Sequence, residues 1–235
     1  MKTLVIIPTY NEAANITDVL RRIQGTKLDV DILVIDDNSP DDTGKIVDNL
    51  MNDQVHIIHN QKKSGLGPAY LQGFRWGFDR NYEIFVEMDA DGSHQPEELE
   101  RLIQASKAAD LVIGTRWMDG GKVVNWPFHR RLLSRFGTMY ARKALGVHHR
   151  DLTSGYRALS RALIEIILGS TIETKGYGFQ IEIVRVALSH QLKVAEVPIT
   201  FVERVAGASK MSKRIVIEAF AMTTAWGFRR IVFRR

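Results

Sequence analysis

The sequence contains no cysteine. Disulfide bridges, thiol nucleophiles and cysteine-bound zinc are excluded together, and a reducing compartment suits the chain. No apolar run approaches the roughly 20 residues that a spanning helix needs. The N-terminus passes from Met1-Lys2-Thr3 straight into Leu4-Val5-Ile6-Ile7-Pro8, too short a run for a secretion signal. No Gly-x-Gly-x-x-Gly follows that first run, which argues against a dehydrogenase. No Gly-rich phosphate loop of the kind expected in a sugar-phosphate nucleotidyltransferase lies near the N-terminus; Thr9-Tyr10-Asn11-Glu12 holds that place. Repeats, low-complexity tracts and interdomain linkers are absent too.

What is present is a chain of 235 residues, 45% hydrophobic and 25% charged, enough to bury a core without covalent staples. One large domain is the default. The net charge of +5 hides an asymmetry: residues 1–115 carry a balance of −8, whereas residues 116–150 and 204–235 carry +7 each. Two basic blocks beside an acidic body suit a phosphate-bearing partner, whether lipid headgroup, phosphorylated substrate or nucleic acid.

Short Val/Ile-rich runs at residues 3–7, 31–35, 55–58, 83–88 and 110–113 read as buried strands. Helical stretches are expected between them at 12–23, 41–51, 68–78 and 96–106, with start signals such as Ser39-Pro40-Asp41 and His94-Gln95-Pro96-Glu97. This alternation predicts an α/β fold with a mostly parallel sheet, whose ligand crevice lies beyond the carboxyl ends of the strands. Further helices are expected at about 127–145, 157–168 and 179–190, and one strand at 195–201. The stretch 211–235, with Ile215, Phe220, Met222, Trp226, Ile231 and Phe233 among paired arginines, reads as one or two amphipathic helices.

The polar strand ends carry the chemistry. Met88-Asp89-Ala90-Asp91 stands where Ile84-Phe85-Val86 stops, and alternate carboxylates there can converge on one hard divalent cation that also holds a diphosphate. An acidic turn preparing the helix at Pro96 would have the same composition. A second acidic turn, Asp36-Asp37-Asn38-Ser39, and a first, Pro8-Thr9-Tyr10-Asn11-Glu12, face the same crevice. Tyr10 can stack on a nucleobase, and Glu12 and Asp36 can accept hydrogen bonds from base or ribose. The blander reading has Asn11 capping a helix and Asp36 opening a turn. Arg116 follows a fourth such end, Ile113-Gly114-Thr115.

Taken in order, these elements resemble family 2 glycosyltransferases, and within them the dolichol-phosphate and polyprenol-phosphate mannose synthases. The likeness spans nearly the whole chain. It also includes Gly65-Leu66-Gly67 with Gly73-Phe74, Asp151-Leu152-Thr153-Ser154-Gly155-Tyr156-Arg157, Lys175-Gly176-Tyr177-Gly178-Phe179-Gln180, and Arg204-Val205-Ala206-Gly207-Ala208-Ser209-Lys210. The resemblance implies a GT-A (Rossmann-like) catalytic domain over residues 1–210 and a C-terminal amphipathic segment over 211–235. It implies an inverting transfer of mannose from GDP-mannose to a polyprenyl (dolichyl-type) monophosphate.

By the same resemblance, Pro8, Tyr10, Glu12, Asp36 and Asp37 belong to the donor's nucleoside site. Asp89 and Asp91, with Ala90 between them, hold Mg²⁺ or Mn²⁺ against the diphosphate. The family places Gln two residues after the second Asp, and here Ser93 stands there; Ser93, a water or Gln95 would take over. Arg116, Arg130, Ser134 and Ser209 are expected at the acceptor phosphate. Lys175, Arg204 and Lys210 are expected, with Arg116, at the donor, and Asp91, Arg116 and Arg130 are the catalytic candidates. Arg130 and Ser134 lie four apart and would share one helix face.

The expected location is the cytoplasmic face of a membrane, peripheral, with the helix near Arg130 and the tail lying in an anionic headgroup layer. A separate membrane-spanning partner protein is compatible with that. No nucleic acid is expected, since no nucleic-acid motif appears and three acidic strand ends would repel phosphates lacking a metal. UDP-glucose as donor, and a non-catalytic basic lipid- or nucleotide-binding module, are the competing readings.

Overall fold

A computed structural model describes residues 1–174, 176, 178–204 and 220–228, except the side chains of His129 and Arg130. Seven strands form one sheet in the order β3-β2-β1-β4-β7-β5-β8. These are β1 (Thr3–Thr9), β2 (Val30–Asp36), β3 (Val55–His59), β4 (Ile84–Glu87), β5 (Leu111–Thr115), β7 (Arg157–Ser160) and β8 (Val194–Pro198). A separate parallel pair is made by β6 (Lys122–Val124) and β9 (Thr200–Val202). The helices are α1 (Ile16–Gly25), α2 (Thr43–Asp48), α3 (Leu66–Phe78), α4 (Leu99–Ser106), α5 (Phe128–Leu145), α6 (Arg161–Gly169) and α7 (Gly178–Ser189). Residues 220–228 are helical as well.

Side-chain alternation along the central strands decides which helix covers which face. Leu4 and Ile6 of β1, Leu33 and Ile35 of β2, and Phe85 of β4 pack with Tyr70 and Phe74 of α3, Leu163 and Ile167 of α6, and Phe179 and Ile183 of α7. Val5, Ile7, Val34 and Val86 point the other way, onto Val19 and Leu20 of α1, Val47 of α2, and Leu99 and Leu102 of α4. Both faces are covered, which is why the strands read as continuous apolar runs. On α3, small residues bring helix and sheet together: a Cβ at Gly77 would lie 2.6 Å from Phe85 and 2.7 Å from Leu4.

The expected alternation from β1 to β5 is observed, with shifted ends. The stretch from residue 12 becomes helical only at Ile16, because residues 10–15 build the crevice loop. Two expectations are corrected. Residues 157–160 do not begin a helix; they form β7, antiparallel to both β4 and β5 between otherwise parallel strands. Arg157 is fully buried there, its guanidinium donating to the carbonyls of Leu152, Ser154 and Gln180, which a solvent-facing helical turn would not supply. The strand expected at 195–201 is two strands broken at Ile199, the chain leaving the main sheet after Pro198 to pair with β6.

Candidate functional site

All the polar strand ends open at one edge of the sheet. At the end of β1 the Thr9 hydroxyl donates to Asp36 Oδ1 over 3.0 Å, tying the first two ends together. Asp36, buried, also accepts from the amide of Ser39 at 3.0 Å and from its hydroxyl at 2.5 Å. Asn11 takes a left-handed conformation, φ +57°, and donates its amide to Ser39 Oγ. Glu12 is buried, its Oε2 receiving the Asn15 side-chain amide and its own amide donating to Thr43 Oγ1. The first and second turns are thus stitched into one wall of the crevice.

Pro8 and Tyr10 stand half-buried on that wall, and Lys63 Nζ lies 3.7 Å above the Tyr10 ring. Lys63 had no role in the sequence reading. It belongs to the segment between β3 and α3 that Asp37 holds in place. Asp37 Oδ1 accepts from Asn60 Nδ2 and Ser64 Oγ, both at 2.8 Å, and Oδ2 accepts from the amides of Ser64 and Gly65, both at 2.9 Å. Those four bonds make Asp37 the fastening of a loop.

Met88 continues the ladder from β4, its amide donating to Ile6 O, and the chain then turns through Asp89-Ala90-Asp91. The Asp89 amide donates to His94 Nδ1 at 3.0 Å, so the imidazole proton sits on Nε2, which has no hydrogen-bond partner among the described residues and lies 3.8 Å from Asp89 Oδ2. His94 stacks on Tyr156 with centroids 4.8 Å apart and meets Phe201 edge-on. Burial pushes its pKa down to about 4, leaving the ring neutral near pH 7. Asp91 Oδ1 accepts from the amide and hydroxyl of Ser93, and Oδ2 lies 3.0 Å from Arg204 Nη2. Burial opposes ionisation of Asp91, but the Ser93 hydrogen bonds and the Arg204 charge outweigh it and hold the carboxyl below its ordinary value.

Ser93 therefore spends its hydroxyl proton on Asp91. Gln95 is engaged elsewhere: its Oε1 accepts from Arg22 on α1 and its Nε2 donates to the carbonyls of Gly92 and Ser93. Among the described residues no cluster of three or more His, Cys, Asp or Glu forms a metal cage. Two carboxylates at a turn nevertheless fit Mg²⁺ or Mn²⁺, which take oxygen donors and complete their shells with water and diphosphate rather than with an all-protein cage.

Beneath this turn lie Glu87, Tyr70 and Gln180, fully buried or nearly so, whose side-chain polar atoms meet no hydrogen-bond partner among the described residues. Burial raises the Glu87 pKa to about 7, against the pull of the Arg157 charge across the strand pair.

Arg116, at the end of β5, is 7% exposed and lies against Asp151. Its Nε and Nη2 donate to the two carboxylate oxygens at 2.6 and 2.8 Å, and Nη2 also reaches Thr153 Oγ1 at 3.1 Å. The rings of Trp117, Trp126 and Phe201 surround the guanidinium at 5.3–5.6 Å. Asp151 and Thr153 were visible in sequence only as parts of a longer motif.

Ser134 stands half-buried on α5, one turn from Arg130, whose side chain lies outside the described residues. Lys175, Ser209 and Lys210 lie outside them altogether. Arg131 and Arg135 fasten α5 to its neighbours, Arg131 through Val123 O and Arg135 over the Trp117 ring. The same helix exposes Phe128, Leu132, Leu133, Phe136 and Met139 to solvent. Among the described residues no helix is long and apolar enough to cross a membrane. The segment 211–235 falls mostly outside the description, apart from residues 220–228, where Trp226 packs into the core and Phe228 is exposed.

Comparison with known proteins places these features. The family model described as "Glycosyl transferase family 2" matches residues 4–168. The chain is 50% identical to a polyprenol monophosphomannose synthase of Mycolicibacterium smegmatis, over 97% of this chain and 88% of that protein. It is 48% identical to an undecaprenyl-phosphate mannosyltransferase of Micrococcus luteus, over 97% of this chain and 94% of that one. Among solved structures, a mannosyltransferase from Pyrobaculum calidifontis in complex with GDP-Man and Mn²⁺ superposes with a TM-score of 0.62 at 19% identity, covering 98% of this chain and 64% of that one. At that identity the likeness is one of fold.

Proposed function

The chain belongs to glycosyl transferase family 2, and we propose that it transfers mannose from GDP-mannose to a polyprenyl monophosphate, releasing GDP and leaving polyprenyl-phosphate mannose with inverted anomeric configuration. The observation that carries this reading is the turn Asp89-Ala90-Asp91 at the open edge of the sheet. Its second carboxylate already faces a cationic group, Arg204, at 3.0 Å. Near-full-length likeness to two polyprenol-phosphate mannosyltransferases supports the choice of sugar and lipid.

The nucleoside lies against Tyr10, with Pro8, Glu12 and Asp36 lining its site. Asp37 acts on it through the loop it fastens. Asp89 and Asp91 hold the divalent cation, Mg²⁺ or Mn²⁺, which when bound neutralises charge on the departing diphosphate. Lys175, Arg204 and Lys210 add positive charge to the same leaving group. Arg116, Arg130, Ser134 and Ser209 receive the acceptor phosphate.

A phosphate monoester is largely dianionic near neutral pH, so one of its oxygens attacks the anomeric carbon without a strong base. The new C–O bond forms as the bond from the anomeric carbon to the diphosphate oxygen breaks, and the electron pair leaves with GDP. The protein's part is positioning and charge stabilisation.

The acceptor is a lipid, and the exposed apolar residues of α5 beside Arg131 and Arg135 suit peripheral contact with an anionic headgroup layer at the cytoplasmic face. Residues 1–210 form the catalytic domain, and 211–235 an amphipathic segment that adds to this contact or meets a membrane-spanning partner.

The test is transfer of label from a panel of GDP- and UDP-sugars into organic-extractable polyprenyl phosphate, with Mg²⁺ and with chelator. GDP-mannose is expected to label the lipid with metal present, and Asp89→Ala and Asp91→Ala to lose at least about 100-fold in rate. Full transfer in chelator, or by either variant, overturns the assignment of the cation site; labelling by UDP-glucose alone overturns the donor.

A further inference from the structure

We propose that Asp151 is the positioning residue for the acceptor phosphate, acting through Arg116, and that it leaves the two Nη1 hydrogens as the part of that guanidinium offered to the substrate. The inference rests on the reading that Arg116 meets the acceptor phosphate.

A guanidinium has five N–H donors in one plane. Asp151 takes the Nε hydrogen at 2.6 Å and one Nη2 hydrogen at 2.8 Å, and Thr153 takes the other Nη2 hydrogen at 3.1 Å. What remains are the two Nη1 hydrogens, on the edge turned away from the carboxylate. The Arg116 backbone amide also donates to Asp151 Oδ2, at 3.2 Å, so side chain and main chain are gripped by one carboxylate. The rings of Trp117, Trp126 and Phe201 limit where the plane can swing.

Asp151 can impose this orientation because it is itself fixed. It is fully buried. Glu196 on β8 accepts the amides of Arg150 and Asp151 at 2.6 and 3.3 Å, while Arg157 on β7 holds the carbonyls of Leu152 and Ser154 at 2.8 and 2.7 Å. The backbone that carries this carboxylate is thus held from two strands of the sheet, the Thr153 hydroxyl donates to its Oδ1 at 3.2 Å, and Arg116 inherits that rigidity. An arginine this deeply buried without its countercharge would either seek another anion or turn away from the crevice. A free arginine would present any of its edges to a phosphate; this one presents a single nitrogen, so the phosphate's approach is set by Asp151.

The experiment is steady-state kinetics of Asp151→Asn, Arg116→Gln and the double variant, varying polyprenyl phosphate at saturating GDP-mannose and then GDP-mannose at saturating polyprenyl phosphate, both with metal, together with thermal unfolding of each protein. Asp151→Asn is expected to raise the acceptor KM by about 10–100-fold, the cost of misplacing one guiding group, while the donor KM stays within about twofold. In the double variant the acceptor KM should match that of Arg116→Gln alone, because both substitutions remove the same contact. Removing both charges together also relieves the uncompensated ion, so the comparison of the double variant with Arg116→Gln remains available if Asp151→Asn alone does not fold.

Equal loss in acceptor and donor KM, or a double variant worse than Arg116→Gln by the full Asp151→Asn factor, overturns the positioning role. An unchanged acceptor KM in Arg116→Gln instead overturns the assignment of Arg116 to the phosphate. The two failures are therefore distinguishable.

Discussion

Replacing Asp37 tests whether this carboxylate works by its charge in the crevice or by the loop it holds. Its two oxygens receive different kinds of donor. Oδ1 takes the Asn60 side-chain amide and the Ser64 hydroxyl, both of which can reverse polarity, the amide by flipping and the hydroxyl by rotating. Oδ2 takes two backbone amides, of Ser64 and Gly65, which cannot. Asparagine placed with its oxygen at the Oδ2 position and its nitrogen at the Oδ1 position therefore keeps all four contacts. It loses only the charge assistance, and Asp37→Asn should cost about 1 kcal/mol. Alanine removes every acceptor and strands two amides that are only partly reachable by water, so Asp37→Ala should cost about 3 kcal/mol. For a chain of this size those values correspond to falls in Tm of about 2–4 °C and about 6–12 °C. GDP affinity, measured calorimetrically with Mg²⁺, should follow the same order, because the loop carrying Lys63 over Tyr10 is released only by alanine. Asparagine as damaging as alanine in both assays would refute the reasoning and point to a need for the negative charge itself.

Two further substitutions probe the frame and the exposed apolar face of α5. Gly77→Ala forces a methyl group into Phe85 and Leu4 at 2.6 and 2.7 Å, and should lower stability by about 1–3 kcal/mol in urea unfolding; an unchanged midpoint would mean that α3 is free to back away from the sheet. Serine at Phe128, Leu132 and Phe136 together should reduce flotation with anionic vesicles by at least about tenfold while leaving Tm unchanged, since these side chains are at least half exposed; undiminished flotation would place membrane contact elsewhere.

The parallel half of the fold was legible because apolar runs and helical spacing alternate there without interference from distant residues. β7 was not. Arg157-Ala158-Leu159-Ser160 runs into Arg161-Ala162-Leu163-Ile164, a composition that favours helix throughout, and its first four residues become strand only because two waiting strand edges bracket them and three carbonyls, two from the preceding loop and one from α7, accept the hydrogen bonds of a buried arginine. The Asp-x-Asp turn could be located from the end of an apolar strand. The division of labour around it could not: that Gln95 is committed to Arg22, that Asp37 is committed to a loop 23 to 28 residues away, and that Asp151 grips Arg116 across 35 residues are contacts of the folded state alone. His94 was quoted only as a helix-start signal, and its second role, buttressing Asp89, has no local signature.

The reversed strand in the middle of the sheet also sets an order of assembly. β4 is bonded on one side by β1 and on the other by β7, and β5 is bonded by β7 and β8. A nascent chain that has emerged as far as residue 115 can complete the four-strand platform β3-β2-β1-β4, yet β5 has nothing to join until residues 157–160 leave the ribosome. The platform carries Tyr10, Asp36 and the aspartate turn; Arg116 acquires its anchor only after the closing strand arrives. Translation thus builds the half that carries the aspartate turn first, with one raw edge of β4 exposed to whatever holds nascent chains apart.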